Sequence, residues 1–212
     1  MDKNFEELMQ IINDTKRERI GFEKLYMFKS KCSLKCNSNH ESITYEYRNM
    51  HNLNFENYGE SNVINEINFD TLLDHNIHSE TNIYWNCPLS PCKKRTMKSR
   101  VITYVDEAPQ IVIFHLARFK FDEDTGIYLK NTDPLRINLE GQNLASLNID
   151  SREIYYDCVA MVCHIGKTLT CGHYVAYNIE NDQWMLYNDL TRQTVNVSEV
   201  QSKTSQNSFL LI

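Results

Sequence analysis

His173 and the pair Asn188–Asp189 are the residues of this chain best suited to acid–base chemistry. His173 lies near the beginning of an apolar segment, CGHYVAYNI, and Asn188 and Asp189 end the next one, QWMLYND. An amide or carboxylate that holds Nδ1–H of a histidine leaves Nε2 free as a general base, which is the orienting half of a serine- or cysteine-histidine triad. A polar hairpin end with no catalytic role uses the same residue types, so both interpretations stay open on spacing alone.

The spacing of these residues predicts a β-hairpin that brings them together. In a tight antiparallel hairpin, the position of the turn decides which residues face each other. A turn centred between Glu180 and Asn181 sets His173 opposite Asn188, and a turn centred on Asn181 sets it opposite Asp189. Directly opposed residues have Cβ atoms about 5 Å apart. In either register, one of the two side chains is expected to reach the imidazole.

Two close cysteine pairs form a second group of residues, which could bind a metal ion. Cys32 and Cys36 are spaced C-x3-C, and Cys87 and Cys92 are spaced C-x4-C. Two thiolate pairs about 50 residues apart suit a tetrahedral zinc ion that cross-links two hairpins. Three histidines in the same segment could replace a ligand: His40, His75 and His78. The alternative is a β-ribbon whose metal site has decayed.

The elements that must position these residues follow from hydrophobic periodicity. Apolar residues at helical spacing predict a helix over 4–15 and a second, short helix at about 66–74. After Pro109 the pattern changes to short apolar strands separated by turn residues, including a hairpin in FDEDTGIYL with Gly126 near its turn. Short strands at regular spacing favour an antiparallel sheet over βαβ units.

Composition limits the class of protein. The chain has 212 residues with 42% hydrophobic and 24% charged residues, typical of one large or two small globular domains. A net charge of −6 disfavours a nonspecific nucleic-acid binder, such as a zinc ribbon. The sequence shows no secretory signal and no apolar run of about 20 residues, so we expect no membrane span. Seven cysteines without a secretory context favour the cytoplasm or nucleus.

Several motifs together resemble the ubiquitin-specific proteases, papain-like thiol isopeptidases that cleave ubiquitin from proteins. CGHYVAY and QWMLYND resemble the histidine box of that family, and PQIVIFHLARF, with a lysine-bearing hairpin after it (Lys130), resembles a strand of its palm. YYDCVAMVCHIGKTLTCGHY, NFEELMQIIND and SFLLI resemble further family segments in the family order. The resemblance implies an α+β fold, mainly antiparallel β, with ubiquitin or a ubiquitin-like protein as the partner.

The resemblance also assigns roles to individual residues. It implies that His173 is the general base, that Asn188 is the third triad residue, and that Asp189 is the acidic residue that often follows it. It further implies structural zinc on the four cysteines of the fingers, although their spacing is wider than the usual C-x-x-C of the family: Cys32, Cys36, Cys87 and Cys92. The implied organisation is a helix leading in over 1–25, fingers over 26–105 and a palm over 106–212.

One family motif has no match. The nucleophile of the family lies in a cysteine box of the type G-l-x-N-l-G-N-T-C-y-x-N-s, and this sequence contains none. We therefore expect a family fold that lacks most of the thumb, and no hydrolysis by this chain alone. Cys171 lies two residues before His173 on the same strand, too far along it to serve as the nucleophile. A non-catalytic module that binds ubiquitin or another partner remains an alternative.

Overall fold

The computed structural model describes residues 25–36, 38–55, 66–78, 85–87, 95–96, 98–102, 108–148 and 152–212. The predicted helix over 4–15 and Cys92 lie outside these ranges. Two α-helices lie entirely within them, α1 (Phe69–His78) and α2 (Val197–Thr204), with a 3-10 turn at Ala145–Leu147, and residues 25–26 are also helical. The strands are β1 (Phe28–Lys35), β2 (Glu41–Arg48), β3 (His51–Asn54), β4 (Ile67–Asn68), β5 (Trp85–Asn86), β6 (Arg95–Thr96), β7 (Lys98–Ile102), β8 (Phe114–Ala117), β9 (Phe119–Asp122), β10 (Ile127–Lys130), β11 (Leu135–Arg136), β12 (Gln142–Asn143), β13 (Tyr155–Tyr156), β14 (Ala160–Thr168), β15 (Cys171–Glu180), β16 (Gln183–Asn188), β17 (Thr191–Val195) and β18 (Ser208–Leu211).

A nine-stranded sheet carries the predicted histidine hairpin. Seven strands run in the order β17-β16-β15-β14-β18-β8-β3, and the β9–β10 hairpin joins through β14. All pairs in this sheet are antiparallel except β3 with β8. The predicted α+β fold with mainly antiparallel strands is therefore confirmed, while this parallel pair was not predicted.

Alternation along the central strands explains why they form a half-buried sheet. Met161 and Cys163 of β14 and Val175 and Tyr177 of β15 are buried in one hydrophobic cluster. Successive side chains of a strand point to opposite faces, so residues two apart share the core face. His173 lies two residues before Val175 and extends this row past the end of the core.

A smaller three-stranded antiparallel sheet, in the order β2-β1-β7, lies in the predicted fingers. Cys32 of β1 faces Thr44 of β2 and Val101 of β7. β3, although within the range predicted for the fingers, pairs with β8 of the large sheet. The residue bounds of the fingers and the palm stay a prediction.

Arg118 connects strand β18 of the large sheet to the loop after β10 and to the segment after α2. Its side chain is 1% exposed and lies over the ring of Phe55 at 4.4 Å. The guanidinium donates to the backbone carbonyls of Asp133, Ser205 and Ser208 at 2.9–3.0 Å. Burial lowers the pKa of Arg118 to about 10, so the side chain stays charged at neutral pH.

Two local predictions are confirmed with shifted bounds. The helix expected at about 66–74 is present as α1, which begins at Phe69 and ends at His78. The hairpin predicted around Gly126 is β9–β10, and Gly126 has φ +68° in its turn. Across the described ranges, neither helix is long and apolar enough to cross a membrane.

Candidate active site and metal centre

The turn between β15 and β16 sets the geometry of the histidine hairpin. Glu180 and Gln183 form the last pair of the ladder, and Asn181 and Asp182 between them have φ of +47° and +61°. Two central residues with positive φ make a type I′ turn, whose twist matches that of the flanking strands. The turn is thus centred between Asn181 and Asp182, and both predicted registers are wrong.

His173 and Asn188 nevertheless meet, across a diagonal. Ala176 faces Tyr187, so the continued register sets Asn188 opposite Val175, two residues from His173. Diagonal neighbours are still within reach of long side chains. His173 Nε2 lies 2.6 Å from Asn188 Oδ1. The predicted contact between the imidazole and one of the two polar residues is present.

The nitrogen that makes this contact differs from the expectation. An amide oxygen only accepts, so Nε2 of His173 must donate to Asn188 Oδ1. The neutral imidazole then keeps its lone pair on Nδ1, which is the nitrogen available as a base. The expectation of an Nδ1–H contact with Nε2 free is wrong: Nε2, and not Nδ1, meets the amide oxygen of Asn188.

Asp189 occupies the next turn. Its φ is +49°, between β16 and β17, and Thr191 Oγ1 donates to the Asn188 carbonyl at 2.7 Å across this turn. Within the described range 152–212, which contains both residues, Asp189 forms no hydrogen bond with His173. The role that the resemblance implies for Asp189 stays a prediction.

Cys163, which is buried, and Cys158, which is half-buried, are poor nucleophiles. Burial raises the pKa of Cys163 to about 12 and that of Cys158 to about 11. The reactive form of cysteine is the thiolate, which these values make scarce at neutral pH. Cys171 is exposed but faces Thr168 at the beginning of the strand that carries His173. These positions agree with the expectation that no cysteine of the palm replaces the missing nucleophile.

A cluster of three ligand-type side chains lies in the predicted fingers. One donor atom from each of Cys36, His40 and Cys87 lies within 4.8 Å of the others, and Cys87 Sγ is 3.8 Å from His40 Nδ1. Cys36 and Cys87 are buried. The cluster joins the end of β1 to the segment after β5.

A tight turn shapes the first half of this cluster. Cys36 N–H donates to the His40 carbonyl at 3.0 Å, and Asn39 N–H donates to the Cys36 carbonyl at 2.8 Å. Asn39 has φ +59°, and the backbone N–H of Ser38 donates to Cys36 Sγ at 3.3 Å. Such N–H donors stabilise a thiolate and orient it toward a metal.

The donor set fits a structural zinc ion. Thiolates and an imidazole bound to tetrahedral zinc at 2.0–2.3 Å lie about 3.5–3.8 Å apart, close to the distance between Cys87 Sγ and His40 Nδ1. Of the four predicted ligands, Cys36 and Cys87 come together, Cys32 is not in the cluster, and Cys92 lies outside the described residues. His40, named only as a possible replacement, is the third member, and its C-x3-H spacing from Cys36 was the available signal.

Comparison with known proteins gives a consistent family match. The family model described as ubiquitin carboxyl-terminal hydrolase matches residues 2–212. The chain is 33% identical to ubiquitin carboxyl-terminal hydrolase cyk-3 of Caenorhabditis elegans over 121 residues. These aligned residues cover 57% of this chain and 10% of that protein. It is 28% identical over 127 residues to human ubiquitin carboxyl-terminal hydrolase 3, covering 57% of this chain and 23% of that protein.

Solved structures share the fold. A structure of the yeast SAGA DUBm with an Sgf73 mutant matches 89% of this chain and 40% of its own, with a TM-score of 0.69 and 19% identity. A SAGA DUB module bound to monoubiquitin matches 100% of this chain and 48% of its own, with a TM-score of 0.68 and 17% identity. The chain thus spans under half the length of these structures and about a tenth to a quarter of these relatives.

Proposed function

Because the chain belongs to the ubiquitin carboxyl-terminal hydrolase family, we propose that it supplies the base and its orienting residue for thiol-dependent cleavage of ubiquitin from proteins. The contact that supports this role is the 2.6 Å approach of His173 Nε2 to Asn188 Oδ1. It fixes the imidazole plane and one tautomer, the two requirements for a base that must face a thiol.

The chemistry assigned to these residues follows from the tautomer. Nδ1 of His173 takes the proton of a cysteine thiol, and the thiolate attacks the isopeptide carbonyl between the ubiquitin C-terminus and a lysine. The imidazolium gives that proton to the lysine amine as it leaves, and a thioester remains. Water, deprotonated by the same nitrogen, hydrolyses the thioester and restores the thiol. Asn188 holds the ring throughout.

The 212-residue chain by itself is proposed to be inactive, because its sequence contains no match for the cysteine box. The test is turnover of a fluorogenic substrate attached to the ubiquitin C-terminus. We expect none from the purified chain. Turnover that His173→Ala abolishes would contradict this, and would show that a cysteine of the chain serves as nucleophile.

A non-catalytic role in ubiquitin binding is the second candidate. It is favoured by a structural neighbour bound to monoubiquitin that matches the whole of this chain, and by a row of exposed apolar side chains on β2. Ile43, Tyr45 and Tyr47 alternate along that edge strand and are 43–65% exposed.

Titration with ubiquitin tests this role and should shift the backbone amide resonances of β2. Unchanged spectra at about millimolar ubiquitin would exclude the role, because only a binding free energy weaker than about 4 kcal/mol escapes detection at that concentration.

Zinc on the cluster of Cys36, His40 and Cys87 is part of the same proposal. Zinc at this cluster would stabilise a segment whose sequence has a low apolar content. Cys92 is the predicted source of a fourth ligand. The cytoplasm or nucleus is the proposed location, because seven cysteines without a secretory signal suit a reducing compartment, where thiols and zinc thiolates persist.

A further inference from the structure

The ring of His164 fills the space beside two glycines at the candidate site. His164 is 1% exposed. A Cβ on Gly172 would overlap His164 Nε2 and lie 2.5 Å from Cε1, while a Cβ on Gly166 would lie 2.7 Å from the same Cε1. Gly172 immediately precedes His173, so the ring presses on the backbone that carries the proposed base.

Regular strand pairing stops where His173 begins. On one side, the β14–β15 ladder is regular as far as Ile165 and His173, and is then interrupted before Thr168 and Cys171 pair. On the other side, the β15–β16 ladder ends with Ala176. Gly172 lies at this irregularity, between the paired residues Cys171 and His173, and has no register partner of its own.

His164 itself is held firmly. Its backbone N–H donates to the Asn207 carbonyl at 2.9 Å, and its carbonyl accepts from Lys130 Nζ. The same ammonium donates to Asn207 Oδ1 at 2.9 Å. The rings of Phe119 and Tyr174 flank the imidazole at centroid distances of 5.3 and 4.9 Å. The ring is therefore a fixed surface against which Gly172 packs.

Within the part of the chain that the structure describes, the buried ring of His164 makes no side-chain hydrogen bond through Nδ1. Its Nδ1 is buried and has no hydrogen-bond partner among the described residues. Burial and the ammonium of Lys130 lower the pKa of His164, which keeps the ring neutral. A buried nitrogen without a partner is unfavourable, so the contribution of this side chain lies in its shape and its contact with the glycines.

We propose that His164 is a positioning residue: its ring supports Gly172 and thereby holds His173 in hydrogen-bond reach of Asn188. The proposal rests on the proposed role of His173 but concerns only how its imidazole is placed. The readout is therefore the hydrogen bond itself, and turnover of a ubiquitin substrate tests the proposed function separately.

The experiment measures solvent exchange of the His173 Nε2–H proton by NMR at about pH 8, where an ordinary histidine is neutral. The resonance is identified by its loss in His173→Gln. We expect a protected proton in the unaltered chain. In His164→Val, which suits a strand but does not reach Gly172, we expect exchange about fivefold faster, the factor that corresponds to one lost neutral hydrogen bond.

Two glycine variants separate positioning from general packing. Gly172→Ala alone should speed the same exchange. Adding His164→Val should restore part of the protection, because the new methyl group then occupies the vacated space, although the Ile165 carbonyl oxygen still lies 2.9 Å from it. Gly166→Ala is the matched control: its Cβ would also lie 2.5 Å from the Cys171 carbonyl oxygen, a backbone atom. His164→Val should therefore not rescue it.

Unchanged exchange in folded His164→Val would overturn the proposal, as would equal effects of Gly172→Ala with and without His164. If His164→Val does not give a dispersed amide spectrum, Lys130→Met decides. It keeps the aliphatic stem and removes the ammonium that binds the His164 carbonyl, so exchange should speed about twofold to fivefold. No change in Lys130→Met would then contradict the proposal.

Discussion

The contact between His173 and Asn188 fixes which nitrogen of the imidazole carries the lone pair. The amide oxygen accepts from Nε2, which leaves Nδ1 as the basic nitrogen. His173 itself is only half-buried, whereas Val175, two residues further along the same face, is buried. At the residue scale, the chain offers an oriented base rather than a complete catalytic site.

His40 is expected to be a zinc ligand. Its Nδ1 lies beside Cys87 Sγ in the three-residue cluster. His40→Ala should lower the bound zinc from about one ion per chain to well below half, because one of the few strong donors is lost. Elemental analysis after dialysis measures this. His75→Ala is the control, and equal zinc in the His40 and His75 variants would contradict the assignment.

The β15–β16 hairpin is the element that decides how the base is oriented. Its type I′ turn fixes the register that makes His173 and Asn188 diagonal neighbours. A shift of one residue would move every side chain of β16 to the other face of the sheet. The turn residues therefore control the geometry of the site although they lie far along the strands from it.

Substitutions of Asp182 test whether this turn sets the hairpin. Its φ of +61° suits glycine and is strained for a β-branched residue. Asp182→Gly should change the free energy of unfolding by less than about 1 kcal/mol, while Asp182→Val should lower it by about 1–3 kcal/mol. Urea unfolding measures both. Equal stability of the two variants would show that the turn does not set the hairpin.

Arg118 ties the loop after β10 to the segment between α2 and β18. Replacement by Met keeps the apolar stem but removes the Arg118 donor from the buried Ser208 carbonyl and the partly buried Asp133 carbonyl, each worth about 1–3 kcal/mol. Arg118→Met should therefore lower the free energy of unfolding by about 2–6 kcal/mol. Arg136→Met, at an exposed position of β11, is the control. Urea unfolding that gives the same stability for both variants would contradict this role.

On the scale of the whole molecule, buried neutral histidines make the fold sensitive to acid. His51 stacks on Phe28 at 4.0 Å between centroids and also lies against Phe114 at 5.4 Å. Burial, together with the charge of Arg48, lowers the pKa of His51 to about 3. Burial also lowers the pKa of His115 and His164. All three histidines therefore favour the fold only while they are neutral.

The sign of the pH dependence follows. Below pH 6.5 the unfolded chain binds a proton at His51, and the folded chain does not do so until about pH 3. Stability is thus present above pH 6.5 and lost as the pH falls through this window. Between pH 7.5 and 5.5, His51 alone should cost about 1.4 kcal/mol.

Urea unfolding at the two pH values measures this loss. His51→Phe keeps an aromatic ring in the stack but cannot be protonated, so its loss of stability over the same interval should be smaller by about that amount. An identical pH dependence in the variant and the unaltered chain would show that His51 is not the group responsible.

The sequence by itself determined the candidate catalytic pair His173 and Asn188, the antiparallel class of the fold and the family, because each of these depends on local spacing and on motif order. Alternating apolar residues fix which face of β15 is buried, and the spacing of His173 and Asn188 admits only a hairpin contact. The register, the nitrogen that meets Asn188 and the place of His40 depended on tertiary structure. Backbone φ at Asn181 and Asp182 decides the register, and the approach of Cys87 across about 50 residues decides the place of His40. The support of Gly172 by His164 likewise joins two strands that only the folded sheet brings together.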